Sequence, residues 1–267
     1  MNTDNEQGQT PRVFILATCR NDALIRASTL VFDTIRVGFP TAEIVVWDND
    51  NSELNRSQIR EGVKKCKGKL VHLPQRISHH DWIATLTMDE RNKEPFWICD
   101  TDLVFWASME QWKFGLMPLA GRYIPDFRCG YVKRWTHWRL HPSLLRIDPA
   151  LVLAGLNAYE DANPETPFTP KPNPFAPLFL PGQFYDTVAI LSEICSGQQF
   201  QDGHLNCYDH LFAGTISDLV GPCLNDGKMQ ERHAELMANP EKMRGLWRKQ
   251  DEFFRANRLP LGFEETT

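Results

Sequence analysis

Short apolar runs alternate with amphipathic segments over the first hundred or so residues, and this pattern restricts the fold more than any other feature of the 267-residue chain. The runs short enough to be buried strands are residues 12–18, 42–47, 69–73 and 95–99. Helices are predicted between them, from Leu24 to Ile35, from Asn55 to Cys66 and from Asp81 to Glu90. Alternating strands and helices predict an α/β fold, with a parallel sheet joined by right-handed crossovers.

Polar side chains follow two of these runs where the strands would end. The second run leads into Asp48-Asn49-Asp50-Asn51-Ser52, and the fourth leads into Asp100-Thr101-Asp102. Ligands of α/β sheets bind at the carboxyl ends of the strands, so both clusters are expected at one functional edge. Carboxylates one residue apart repel each other unless a cation neutralises them. The triplet therefore predicts a divalent-metal site.

Overall composition argues against several classes of protein. The net charge of -5 gives no general attraction to nucleic acid or to anionic membranes. The polar start of the chain lacks the features of a signal peptide and predicts a disordered tail over residues 1–11. The seven cysteines are odd in number and form no Cys-x-x-Cys pair, so a cytoplasmic location is the expectation. No apolar run is long enough to span a membrane.

The second half of the chain begins with a locally basic segment. Six basic residues lie between Gly121 and Arg146 against one acid, Asp126. Aromatic rings stack on sugars or bases, and arginine binds phosphates or carboxylates, although buried tryptophans are more often part of a core. The candidate binding residues in this segment are Trp135, Trp138, Arg139 and His141. An anionic ligand is the expectation.

The remaining sequence is less regular. Seven prolines between Pro164 and Pro181 predict an extended loop, because proline is excluded from helix interiors and central strands. A helix is predicted from Phe184 to Ile194, and one or two more from Met229 to Asn257.

An Asp-x-Asp triplet after an apolar strand, preceded by an acidic turn after an earlier strand, resembles the metal-binding motif of GT-A-fold nucleotide-sugar glycosyltransferases. The resemblance is one of motif order, and it extends over most of residues 12–255. It implies one GT-A-like domain (12–267), with a Rossmann-type mostly parallel sheet. Residues 12–119 would form the nucleotide-sugar-binding half, and residues 120–267 a mixed acceptor-binding half with C-terminal helices.

The implied activity is metal-dependent transfer of a sugar from a nucleoside diphosphate sugar, with UDP as the family-level guess, to a hydroxyl group. The acceptor would be a glycan, an anionic saccharide or a modified DNA base, with Trp135, Trp138, Arg139 and His141 of the basic segment as candidate acceptor-binding residues. Mn²⁺ or Mg²⁺ would bind Asp102, while Asp100 would contact the ribose, or the metal through water. His233 is the candidate further ligand, and His210 competes with it.

The resemblance also implies a donor site and a general base. The donor candidates are Thr18, Arg20, Asp48 and Asp50, and Arg76 and His80 join them because they precede or begin a predicted helix. Asp209, with Asp202 in reserve, would take the proton of the acceptor hydroxyl. A helix-capping role explains Asp209 equally well.

Two other functions remain open at this point. A haloacid-dehalogenase-like phosphatase would use Asp100 as nucleophile and Asp102 as acid/base, but it requires the motif on the first strand and a later acidic pair. A catalytically inactive nucleotide-sugar-binding module would keep the fold without turnover. The chain has no Gly-x-Gly-x-x-Gly, Walker or Gly-x-Ser-x-Gly motif, so dinucleotide oxidoreductases, P-loop NTPases and serine hydrolases have no support.

Overall fold

The computed structural model describes residues 10–19, 22–125, 138–164, 173–180, 183–185, 187–195, 197–200 and 202–210. The strands are β1 (Arg12–Ala17), β2 (Glu43–Asp48), β3 (Lys69–His72), β4 (Phe96–Cys99), β5 (Leu103–Phe105), β6 (Leu119–Pro125), β7 (Trp138–Ile147), β8 (Leu178–Leu180), β9 (Gln183–Tyr185), β10 (Gln198–Gln199) and β11 (Tyr208–His210). The helices are α1 (Asp22–Gly38), α2 (Glu53–Lys65), α3 (His79–Met88), α4 (Pro149–Ala162), α5 (Ala189–Ile194) and α6 (Asp202–Leu205).

Seven of the described strands form one sheet in the order β10-β6-β7-β4-β1-β2-β3. All neighbouring strands are parallel except where β7 runs antiparallel to both β4 and β6. The predicted α/β class with a mostly parallel sheet is confirmed. The division expected between residues 119 and 120 falls inside β6, and strands from both sides of it belong to the same sheet.

The sheet is covered on both faces, which explains why its central strands are apolar without alternation. Along β1, Val13 and Ile15 pack into a core with α1, α2 and β5, whereas Phe14 and Leu16 pack into a second core with α3, α4 and α5. Among the described helices, none is both long and apolar enough to cross a membrane.

The predicted strands and helices of the first half lie within about two residues of their observed positions. The helix predicted from Phe184 to Ile194 is wrong in its first part, because residues 183–185 form β9 and only Ala189–Ile194 is helical. Val188 separates the two elements with φ 58, a left-handed conformation that is unusual for a β-branched residue. Its side chain is fully buried, so tertiary packing overrides the helical pattern.

Predictions for the chain ends fall largely outside the described residues. The C-terminal helices from Met229 to Asn257 do so entirely, as do residues 1–9 of the expected tail. Pro11, the last residue of that tail, already contacts the sheet, since its carbonyl accepts a hydrogen bond from the Glu43 amide at 2.8 Å.

Helix α1 holds β5, the strand that follows the acidic triplet. The Phe105 amide donates to Thr34 Oγ1 at 3.1 Å, and the Met109 amide donates to the Gly38 carbonyl at 2.7 Å. A Cβ atom at Gly38 would lie 2.4 Å from Cδ1 of Phe105, far inside van der Waals contact. Phe105 is almost completely buried, so its ring has no room to move aside.

Gly38→Ala is therefore expected to destabilise the protein by about 1–3 kcal/mol, the usual cost of overpacking a core. Without this clash, alanine would stabilise the helix by about 0.5–1 kcal/mol relative to glycine. A decrease in the free energy of unfolding would therefore show that the clash with Phe105 outweighs the helix preference. The measurement is the free energy of unfolding in urea, with the half-exposed Val37→Ala in the same helix as control. A stabilised Gly38→Ala protein would show that α1 and β5 are less tightly packed than described.

Candidate active site

The acidic triplet lies at the carboxyl edge of the sheet, directly after β4. Cys99 ends the strand, residues 100–102 turn, and β5 begins at Leu103. The Asp100 amide donates to the Ser143 carbonyl of β7 at 2.7 Å. Asp102 is 5% exposed, and the Asp100 side chain is 28% exposed. The turn thus presents one buried and one accessible carboxylate.

His210 completes a group of potential metal ligands. Strand β11 pairs antiparallel with β5 and sets His210 opposite Leu103, next to the triplet. His210 Nε2 lies 3.1 Å from Asp102 Oδ1, and the His210 side chain is 4% exposed. One ligand atom from each of Asp100, Asp102 and His210 lies within 4.8 Å of the other two.

This donor set fits the metal that the resemblance implies. Carboxylate oxygens are the preferred protein ligands of Mg²⁺ and Mn²⁺, and neutral imidazole also binds Mn²⁺. Within the described part of the chain, no other group of three His, Cys, Asp or Glu side chains converges in this way.

Two more histidines lie against this group. His79, the first residue of α3, has its Nε2 3.5 Å from Asp100 Oδ1 and stacks on Trp82 at 5.7 Å between ring centroids. The His141 ring lies 4.9 Å from the His210 ring. The sequence grouped His79 with Arg76 and His80, before a predicted helix, as a candidate contact for the phosphates or base of the donor. Its contact with Asp100 was not predicted, because that contact requires α3 to be docked beside β4.

The turn after β2 is ordered around the buried carboxylate of Asp48. Asn51 Nδ2 donates to it at 2.6 Å, Arg56 Nε donates at 2.8 Å, and His72 Nδ1 lies 3.1 Å away. Burial alone would raise the pKa of Asp48, but hydrogen bonds from Asn51, Arg56 and His72 outweigh it and hold the pKa below its ordinary value. The chain's own donors therefore satisfy Asp48, while the adjacent Asp50 is exposed.

Asn49 joins this turn to the segment that precedes α3. Its Nδ2 donates to Thr18 Oγ1 at 2.8 Å and to the Ile77 carbonyl at 2.9 Å, and its Oδ1 accepts from the Ile77 amide at 2.8 Å. The bonds hold residues 76–80 beside the ends of β1 and β2. The linking role of Asn49 was not predicted from the sequence, where its place in a dense polar turn was the available signal.

The predicted site residues divide into three groups. Those with described side chains at or next to the carboxyl ends of the strands are Thr18, Asp48, Asp50, Arg76, His80, Asp100, Asp102 and His141. Those whose backbone alone is described are Trp138 and Arg139 in β7, Asp202 in α6 and Asp209 in β11. Those outside the described residues are Arg20, Trp135 and His233. The roles assigned to all of these residues remain predictions.

No protein-family model matches the sequence, and no curated protein does. Solved structures with a similar fold include the apo glycosyltransferase GlyE of Streptococcus pneumoniae TIGR4, with 14% identity and a TM-score of 0.41 over 73% of this chain and 46% of that one. The galactosyltransferase LgtC, in complex with donor and acceptor sugar analogs, has 12% identity and a TM-score of 0.42 over 83% and 82%. The mannosyltransferase PcManGT from Pyrobaculum calidifontis, in complex with GDP-Man and Mn2+, has 16% identity and a TM-score of 0.39 over 55% and 47%.

This chain spans less than half the length of the first structures that it matches. The likeness concerns the fold, and both the sequence identity and the TM-score are low. The solved structures described above are all glycosyltransferases.

Proposed function

We propose that this protein is a metal-dependent glycosyltransferase that moves a sugar from a nucleoside diphosphate sugar to a hydroxyl acceptor. The observation that carries the proposal is the convergence of Asp100, Asp102 and His210 at the carboxyl edge of an α/β sheet. A polar surface adjoins this group, because the turn after β2 and the start of α3 are held at the same edge, and His79 of α3 lies against Asp100. Metal ligands beside such a surface suit a substrate that carries a diphosphate.

Mn²⁺ or Mg²⁺ would be held by Asp102, His210 and Asp100. The bound ion would supply Lewis-acid stabilisation of the negative charge on the leaving nucleoside diphosphate. Asp102 is buried and its carboxylate is held against His210, so its position is defined before any substrate binds. The more exposed Asp100 would contact a ribose hydroxyl, or the metal through water. His233, predicted as a metal ligand, would either bind the ion as a further ligand or be replaced in that role by His210.

The donor nucleotide would lie over the ends of β1 and β2. Thr18 and Asp50 would contact the nucleoside, with Arg20 beside them, and Asp48 would act mainly by ordering the turn. Arg76 and His80 would approach the diphosphate, because helix α3 begins there and its N-terminus attracts anions. Asn49 would hold the segment before α3 in place beside the ends of β1 and β2.

The acceptor would approach from the side formed by the second half of the chain. Asp209 is proposed as the general base that removes the proton of the acceptor hydroxyl, with Asp202 as the alternative. Asp209 precedes His210 in strand β11. Trp135, Trp138 and Arg139 are proposed to bind the acceptor. The described residues give no reason to prefer DNA over a glycan or an anionic saccharide.

A thermal-shift screen of UDP, GDP and their sugar conjugates tests the proposal. With Mn²⁺ present, a nucleotide at about 100 times its Kd is expected to stabilise the protein by about 2.7 kcal/mol and to raise Tm by roughly 5–10 °C. With EDTA in place of Mn²⁺, the same nucleotide should give little shift, and uridine without phosphates serves as the control. Equal shifts with and without metal would contradict the proposal. Hydrolysis of phosphate esters without sugar transfer would favour the phosphatase alternative.

A further inference from the structure

We infer that His141 is a positioning residue, which holds the imidazole of His210 in the orientation that the metal group requires. This inference rests on the proposed function, and it assigns His141 a role other than the acceptor contact predicted from the sequence. It follows from the local geometry of β7, from the hydrogen bonds of His141 and from its contact with His210.

Strand β7 bulges at His141. In its pairing with β6, Leu145 faces Gly121 and Leu140 faces Tyr123, so a single β6 residue lies opposite residues 141–144 of β7. Pro142 lies in this bulge, as expected for a proline in a central strand, since proline has no amide hydrogen to donate to the sheet. The bulge therefore displaces His141 and Ser143 from regular pairing with β6, at the edge where the triplet lies.

The His141 ring is locked by its neighbour. Its Nδ1 accepts a hydrogen bond from the Ser143 amide at 3.1 Å and lies 2.7 Å from Ser143 Oγ. A backbone amide can only donate, so Nδ1 carries no proton and the neutral ring has its hydrogen on Nε2. Turning the ring over would break this bond.

The locked ring packs against His210, with centroids 4.9 Å apart and an interplanar angle of 56°. His210 needs such support, because β11 is a three-residue strand in a two-stranded sheet, and such short pairs are weak on their own. The same bulge also holds the triplet, since the Ser143 carbonyl accepts the hydrogen bond of the Asp100 amide at 2.7 Å. Residues 141–143 thus connect two parts of the metal group that are far apart in sequence.

The test is Mn²⁺ affinity, measured on the full chain without nucleotide from the electron paramagnetic resonance signal of free Mn²⁺. His141→Ala is expected to raise the Kd for Mn²⁺ about 10- to 100-fold, as is usual when a residue that orients a metal ligand is lost. His141→Phe, which keeps a ring at this place, should raise it less. His80→Ala serves as the matched control, because His80 lies at the same edge outside the metal group, and its Kd for Mn²⁺ should be that of the wild type.

A second readout separates positioning from acceptor binding. In sugar-transfer assays, high Mn²⁺ should restore most of the turnover of His141→Ala, and the KM for the acceptor should stay unchanged. A raised acceptor KM with an unchanged Kd for Mn²⁺ would overturn the inference, because His141 would then contact the acceptor. A wild-type Kd in both His141→Ala and His141→Phe would overturn it as well.

A failure of the proposed function would give a result different from a failure of the positioning role. If His210→Ala and Asp102→Asn bind Mn²⁺ as the wild type does, the metal group itself is wrong. If both variants lose Mn²⁺ binding while His141→Ala retains it, only the positioning role is refuted. Circular dichroism and Tm on each variant show whether it is folded.

Discussion

Asp102→Asn is expected to abolish metal-dependent donor binding and to lower turnover by at least about 10³-fold, with the fold intact. The asparagine has nearly the same shape and fits the buried position, but it removes the charge that attracts a divalent cation. A Lewis acid contributes several kcal/mol of transition-state stabilisation, and each 1.36 kcal/mol corresponds to about a tenfold change in rate. Initial rates at saturating Mn²⁺, together with the Mn²⁺-dependent rise in Tm, measure the two effects.

Asp209→Asn, which alters the proposed general base, is the matched comparison for Asp102→Asn. Loss of a general base should lower turnover by about 10²–10⁴-fold, while the Mn²⁺-dependent stabilisation by a nucleoside diphosphate is retained. A variant that loses both would point to a structural role for Asp209 in β11. Wild-type turnover in Asp102→Asn would refute the metal site altogether.

Asp48→Asn is expected to have the largest effect on stability, about 3 kcal/mol at pH 7. The Asp48 carboxylate is fully buried and receives Arg56 Nε at 2.8 Å, with His72 Nδ1 at 3.1 Å from the same oxygen. An asparagine would leave the partly exposed guanidinium without its counter-charge, and the loss of hydrogen bonds to a charged group costs about 1.5–3 kcal/mol each. Urea unfolding at pH 7 measures the loss, and Asp50→Asn in the same turn, where the residue is exposed, is the control.

The effect of Asp48→Asn is also expected to depend on pH. The folded protein holds the pKa of Asp48 below its ordinary value of 3.8, so the ionised carboxylate contributes stability above that pH. This contribution is lost as the pH falls through the lower pKa of the folded state. The difference in stability between the wild type and Asp48→Asn should thus be complete at pH 7 and shrink below about pH 3.8. A difference that stays constant down to pH 2–3 would show that the charge of Asp48 is not what stabilises the turn.

The first half of the fold could be predicted from the sequence because its signals are local. Apolar runs of strand length, helical spacing in the intervening segments and polar residues after each run were enough to predict β1 to β4 and α1 to α3. The same reasoning predicted that the Asp48 turn and the Asp100 triplet share the carboxyl edge of the sheet, which they do. In the second half, β6 and β7 lie where the sequence suggested only a basic segment. These two strands pair with each other, and the pairing of β7 with β4 joins them to the strands of the first half.

Thus the sequence by itself determined the α/β class, the position of the acidic triplet after β4 and the chemistry that two neighbouring carboxylates require. The tertiary structure decided which histidine joins them among the described residues. The sequence favoured His233 in chain order, with His210 as its competitor; His233 lies outside the described residues, and the pairing of β11 with β5 places His210 against Asp102. The partners of Asp48 and the bulge that holds His141 were decided in the same way. The physical reason is that contacts between distant segments depend on strand pairing and register, which leave no periodic trace in the local sequence.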